Sequence, residues 1–138
     1  MAIRVTRKDV RSGDLLTPGW YVCDIKDVVQ EPAKDKSTNT IFTFTPIDSE
    51  KGGADCEGIS VKKFYINEKG IYNSGMALLT ACGLNQEHKD ALRKKEVNDI
   101  ELNERDLVGK RILAFIANTT YEGRVSNEAT DFREYKVA

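Results

Sequence analysis

Hydrophobic and polar positions alternate with period two in separate stretches of the chain, and that alternation predicts strands. From Gly19 to Val29, Tyr21, Cys23 and Ile25 fall on one face, with Trp20, Val22, Asp24 and Lys26 on the other. The first set is the expected core face. "EPAKDKSTNT", residues 31 to 40, is dense in turn formers and charges, so it predicts a long, exposed loop before the second strand, "TIFTFTPID". There Phe42 and Phe44 have the spacing of a core pair, Thr43 and Thr45 face outward, and Pro46, without an amide donor, marks an edge or a bulge.

After the turn "SEKGGADCEG" comes a third strand, Ile59 to Asn67. Burial of both Val61 and Phe64 breaks the alternation, so a bulge is expected at Lys62 and Lys63, with Lys62, Lys63 and Tyr65 near an exposed face. The period then changes. "YNSGMALLTACG" places Met76, Leu79 and Cys82 at helical spacing beside Leu78, with Asn73 or Ser74 to cap it and Gly83 to stop it. Gln86 to Val97 is charged enough for a second, exposed helix, and "NDIELNERDLVGK" reads as irregular or a single turn anchored by Leu102 and Leu107. Two strands close the chain, Arg111 to Ala117 and Glu128 to Lys136, around a turn-rich loop from Asn118 to Asn127.

Three strands, a helix and two strands, with long first and last hairpin loops, match a mainly β, five-stranded OB-fold Greek-key barrel with one capping helix between strands 3 and 4. The expected domain plan is a basic N-terminal arm, residues 1–14, and a single barrel domain, 15–138. In 138 residues, 40% hydrophobic and 31% charged, there is a sizeable core and no apolar run fit to span a bilayer. The first residues, "MAIRVTRKDVRSGD", lack the apolar centre of a secretory signal, so a cytoplasmic location is expected.

Candidate chemistry narrows the classes. Cys23, Cys56 and Cys82 are widely separated, with His88 as the one histidine; without closely spaced ligand pairs they read as buried or inert thiols, and no metal or cofactor is assigned. His88 lies in the most charged stretch, a poor setting for orienting a base, and no phosphate-cradling glycine motif is present. The acids form no spaced motif. The expectation is therefore a protein without catalytic activity. A formal net charge of -1 argues against binding a polyanion by phosphate neutralisation alone, although residues 1 to 11 carry Arg4, Arg7, Lys8 and Arg11 against Asp9.

"LLTPGWYVCDI", "IFTFTPID", "CEGISVKKFYI", "LLTACGL", "DLVGKRILAFI" and "YEGRVSNEATDF" together resemble phage-encoded single-stranded-DNA-binding proteins of the OB-fold type, from about Leu15 to Phe132. The resemblance implies a non-catalytic protein, monomer or homodimer, that coats single strands in phage DNA replication or recombination within the host bacterial cytoplasm, with replication or recombination proteins as further partners. The chain differs in ending "FREYKVA", without the acidic tail many such proteins use to recruit partners.

Sequence-tolerant binding of single strands needs flat π faces for bases and a few cations for phosphates. By position in the barrel the candidates are Trp20, Tyr65, Tyr72 and Tyr121 for stacking, and Lys34, Lys36, Lys62, Lys63, Arg111 and Arg124 for phosphate. Bland alternatives stand beside them: Tyr65 and Tyr72 closing the barrel rim, and Lys34 and Lys36 balanced by Glu31 and Asp35. Trp20, outward by alternation, either stacks a base or lies under the N-terminal arm, covered by Arg4, Arg7 or Arg11. The competing function is a protein-interaction module on the same barrel, modulating a host or phage recombination or replication factor through the charged segment Gln86 to Asp106.

Overall fold

The structure is a computed structural model that describes residues 2–6, 11, 13–32, 34, 36–66, 71, 75–83, 90, 94 and 104–136. It is mainly β. Strands β1 (Gly19–Pro32), β2 (Thr38–Ser49), β3 (Val61–Tyr65), β4 (Arg111–Tyr121) and β5 (Arg124–Glu134) form one antiparallel sheet in the order β3-β2-β1-β4-β5. Between β3 and β4 lie two short helices, α1 (Met76–Ala81) and α2 (Glu104–Leu107).

Period-two burial builds the core. Tyr21, Cys23, Ile25 and Val28 of β1 meet Phe42 and Phe44 of β2 and Ile112, Ala114 and Ile116 of β4. Ile25, Phe44, Ile59, Leu78, Ile112 and Ile116 are fully buried, each contributing about 1.5–3 kcal/mol of transfer free energy. Phe42 and Phe44 stack with centroids 6.1 Å apart, as their spacing predicts. Beyond Pro46, β2 bulges: Cys23 pairs with Pro46 but Val22 with Asp48, leaving Ile47 unpaired and exposed. All three cysteines are free and buried.

Helix α1 packs its Leu78, Leu79 and Ala81 inward and lies against β5. It stops where predicted, because Gly83 takes φ 107°, a left-handed value that a side chain would strain. Its start differs from expectation: Gly75 occupies the N-cap without a side-chain bond, and Asn73 and Ser74 lie outside the described residues. The α2 turn buries Leu107 as expected, while Leu102 falls outside the described residues. So does most of Gln86 to Val97, although the Lys94 amide donates to the Asp90 carbonyl at the helical spacing.

Both hairpins are tighter than the turn formers suggest. Ladder pairing runs to Pro32 and Thr38, so the first loop shrinks to residues 33–37. The last hairpin is laddered to Tyr121 and Arg124, turning on Glu122 (φ 49°) and Gly123 (φ 78°), two consecutive left-handed residues that match the twist of a two-residue hairpin. The expected loop from Asn118 to Asn127 is therefore a β arm. Polar residues there satisfy alternate pairing, which composition alone does not distinguish from a loop.

The third strand corrects the sequence reading most sharply. It carries no bulge; Thr40 to Phe44 of β2 pair with Tyr65 to Val61 in unbroken register. Val61 and Tyr65 are buried, whereas Phe64 is 60% exposed. Alternation survives because the inward Lys63 finds a carboxylate: its Nζ lies 3.1 Å from Oε1 of Glu128 on β5. The displaced irregularity sits in β1, where Ile25 pairs with Phe44 and Asp27 with Thr43, leaving Lys26 as the extra residue.

Candidate functional site

Four antiparallel steps separate β3 from β5, so these two strands run parallel to each other. The Lys63 to Glu128 ion pair joins them. The register row through Lys63 crosses β1 at Val28, whereas the row through Glu128 and Ala117 reaches β1 just before Gly19. That stagger of about ten residues is the kind of slant a sheet acquires when it curls toward closure.

On the outer face of β2 and β3, Thr43 and Thr45 lie beside Lys62 and Phe64. Lys62 is exposed and makes no ion pair with another described residue. Phe64 is opposite the half-buried Ile41, which is in turn opposite the exposed Val29, and Ile66 continues the apolar stripe at 70% exposure. A polar and cationic half thus borders an apolar half on one open surface. Phe64 and Ile66 are absent from the residues picked by sequence; strict alternation through the two lysines was the signal that finds them.

The two hairpin ends flank this face. β1 and β3 run the same way, so the loop holding Lys34 and Lys36 lies beyond the end of β3, and both lysines are exposed. Tyr121 and Arg124 pair across the turn of the arm, with Tyr121 76% exposed. Arg124 precedes Glu128 by four residues, which puts the arm tip about 13 Å from the Lys63 contact, on the side where β3 begins.

Other candidates lie elsewhere. Tyr65 is 2% exposed, its ring edge-on to Phe42 at 5.8 Å, so the expectation of an exposed ring is corrected: it has no open face on which to stack a base. Burial, with Cys82 nearby, pushes its hydroxyl up to about 12. Among the described residues, neither that hydroxyl nor the buried Thr40 hydroxyl opposite has a hydrogen-bond partner. Arg111, on β4, donates to Asp24 at 2.8 and 3.3 Å, and those bonds hold its guanidinium more firmly protonated than usual. Tyr72 and His88 are outside the described residues.

Trp20 also belongs to a separate sector, the outer face of β1 and β4. Its ring meets Phe115 edge-on at 5.5 Å, and the Arg133 guanidinium lies 3.9 Å from its centroid. The covering cation comes from β5. Of the arm residues proposed for that role, Arg11 is held by Asp14, the Asp55 carboxylate and carbonyl, and the Glu57 carbonyl. Arg7 is outside the described residues.

The segment before β1 is tied to the arm. Asn127 Oδ1 accepts from the Leu16 amide, its Nδ2 donates to the Asp14 carbonyl, and Asn118 donates to the Leu16 carbonyl. Arg11 fastens the same segment to the β2–β3 loop. Among the described residues no three His, Cys, Asp or Glu side chains group as a metal site, and no helix is long and apolar enough to cross a membrane. None of the known protein families compared with this chain matches it, and neither does any curated protein.

Proposed function

We propose that this protein is a sequence-tolerant single-stranded-DNA-binding protein on an OB-type barrel, acting without catalysis in phage DNA replication or recombination in the bacterial cytoplasm. The strand order, the parallel approach of β3 and β5 and the helix between β3 and β4 support the barrel. The observation that carries the function is Phe64, an aromatic ring 60% exposed on a strand beside Lys62, an exposed cation with no ion pair among the described residues. An exposed ring gives a base a π face, and a neighbouring ammonium gives its phosphate a counterion. Small Thr43 and Thr45 leave the adjoining surface flat, with Lys34, Lys36, Tyr121 and Arg124 at its two ends.

The test is a titration with labelled oligo-dT and with duplex of equal length. Saturable, salt-sensitive binding of the single strand over the duplex is the expected result; no binding of either at low salt refutes the reading. One observation favours the second reading, an interaction module: the apolar stripe of Val29, Ile41, Phe64 and Ile66 also suits a protein partner. Loss of oligo-dT binding on Phe64→Ala separates the two.

A further inference from the structure

We propose that Glu128 occupies on Lys63 the place that a backbone phosphate takes when a single strand binds, and so acts as a built-in competitor that sets affinity. The inference rests on the single-strand reading above and concerns the regulation of that same surface.

By alternation Lys63 points inward between the buried Val61 and Tyr65, yet its amine emerges at the line where β3 meets β5. Its sequence neighbours, Lys62 and Phe64, are the outward pair that the bound strand would follow. The contact is single, Nζ to Oε1 at 3.1 Å, with side-chain exposures of 22% for Lys63 and 39% for Glu128. A partly wet, one-point ion pair is weak enough to exchange for another anion. A phosphodiester, like the carboxylate, carries one negative charge shared over two terminal oxygens, so the ammonium changes partner without being stranded.

Glu128 is also placed to repel. On the arm it shares a face with Ser126 and Arg124 through the pairs Ala117 with Glu128, Thr119 with Ser126 and Tyr121 with Arg124. A strand running from the arm tip to Phe64 therefore passes this carboxylate. While Glu128 holds Lys63, the surface presents one cation fewer, which suits a protein whose formal net charge is only -1. Binding then exposes the carboxylate and opposes itself, moderating the grip on the phosphate at Lys63.

The test is the affinity of Glu128→Gln for fluorescein-labelled oligo-dT at low salt, alongside its melting temperature. Tightening by about fivefold is expected, with a smaller gain when Lys63→Gln is already present. Unchanged or weaker binding overturns the proposal, including the case in which weaker binding accompanies a lower melting temperature and shows the pair to be a brace. If the Gln variant does not fold, Glu128→Asp, which withdraws the carboxylate by one methylene, carries the same expectation. A wild-type protein that binds no oligo-dT overturns the single-strand reading and this one with it; a wild type that binds while the variants gain nothing overturns this one alone.

Discussion

The Arg133 guanidinium sits 3.9 Å from the centre of the Trp20 ring and is held there by Glu50, whose carboxylate oxygens accept from Nη2 at 3.1 and 3.2 Å. A residue of β5 thus reaches across β4 to cover a ring on β1 and ends at the exit of β2. Arg133→Ala is expected to shift Trp20 emission to longer wavelength as water reaches the uncovered face. It should cost about 0.5–1 kcal/mol of stability, read from a urea melt followed by circular dichroism.

Adjacent positions on β3 should behave oppositely. Phe64→Ala is expected to weaken oligo-dT binding by about 1–3 kcal/mol and to leave stability within about 0.5 kcal/mol. Tyr65→Ala should destabilise the fold by about 3–5 kcal/mol, because its ring fills the core. Tyr65→Phe should be neutral or stabilising, since its buried hydroxyl has no partner to lose among the described residues. Paired melting and binding curves for the three variants check this.

The cations divide in the same way. Lys62→Gln is expected to reduce the slope of log affinity against log salt by about 0.7, one phosphate contact on a single strand. Arg111→Gln should leave that slope unchanged, because its guanidinium is engaged by Asp24. Titrations at several salt concentrations distinguish them.

Alkaline pH should destabilise the protein from about the ordinary thiol range upward. Burial raises Cys23 from 9.0 to about 12 and Cys82 from 9.0 to about 11, and raises Tyr65 from 10.0 to about 12. In each case the unfolded chain ionises first, so it binds fewer protons than the native state and stability falls as pH rises. The contribution is intact below pH 9 and lost progressively toward 12, at about 1.4 kcal/mol per pH unit for each group in its window. Urea midpoints between pH 8 and 11 should fall, and Tyr65→Phe should flatten the part of the decline above pH 10.

The elements with simple periodicity were legible: β1, β2 and α1, with Tyr21, Ile25, Phe44 and Leu78 inside, follow from side-chain spacing alone. β3 was misread because a lysine at an inward position looks forbidden until its partner is known, and Glu128 lies 65 residues away. Long sequence separation likewise hides the Trp20 cover, which depends on a register across two strands. Turn composition overstated both loops, since Thr, Asn and Ser sit as comfortably in an exposed two-stranded arm as in a coil. Of the residues chosen by order in the fold, Lys62, Lys34, Lys36, Tyr121 and Arg124 are exposed on or beside the candidate surface, and Phe64 was assigned to the core for want of that one ion pair.

The clasp made by Asn118 and Asn127 on residues 14–16 spans separations of 102 and 111 to 113 positions, nearly the whole chain. Such contacts bear the largest loop-closure entropy and are the last to be rewarded during folding. The clasp is therefore expected to form after the rate-limiting step, which φ-values for Asn118→Ala and Asn127→Ala would check. Asparagine substitutions there should leave the refolding rate almost unchanged and shorten the lifetime of the native state instead.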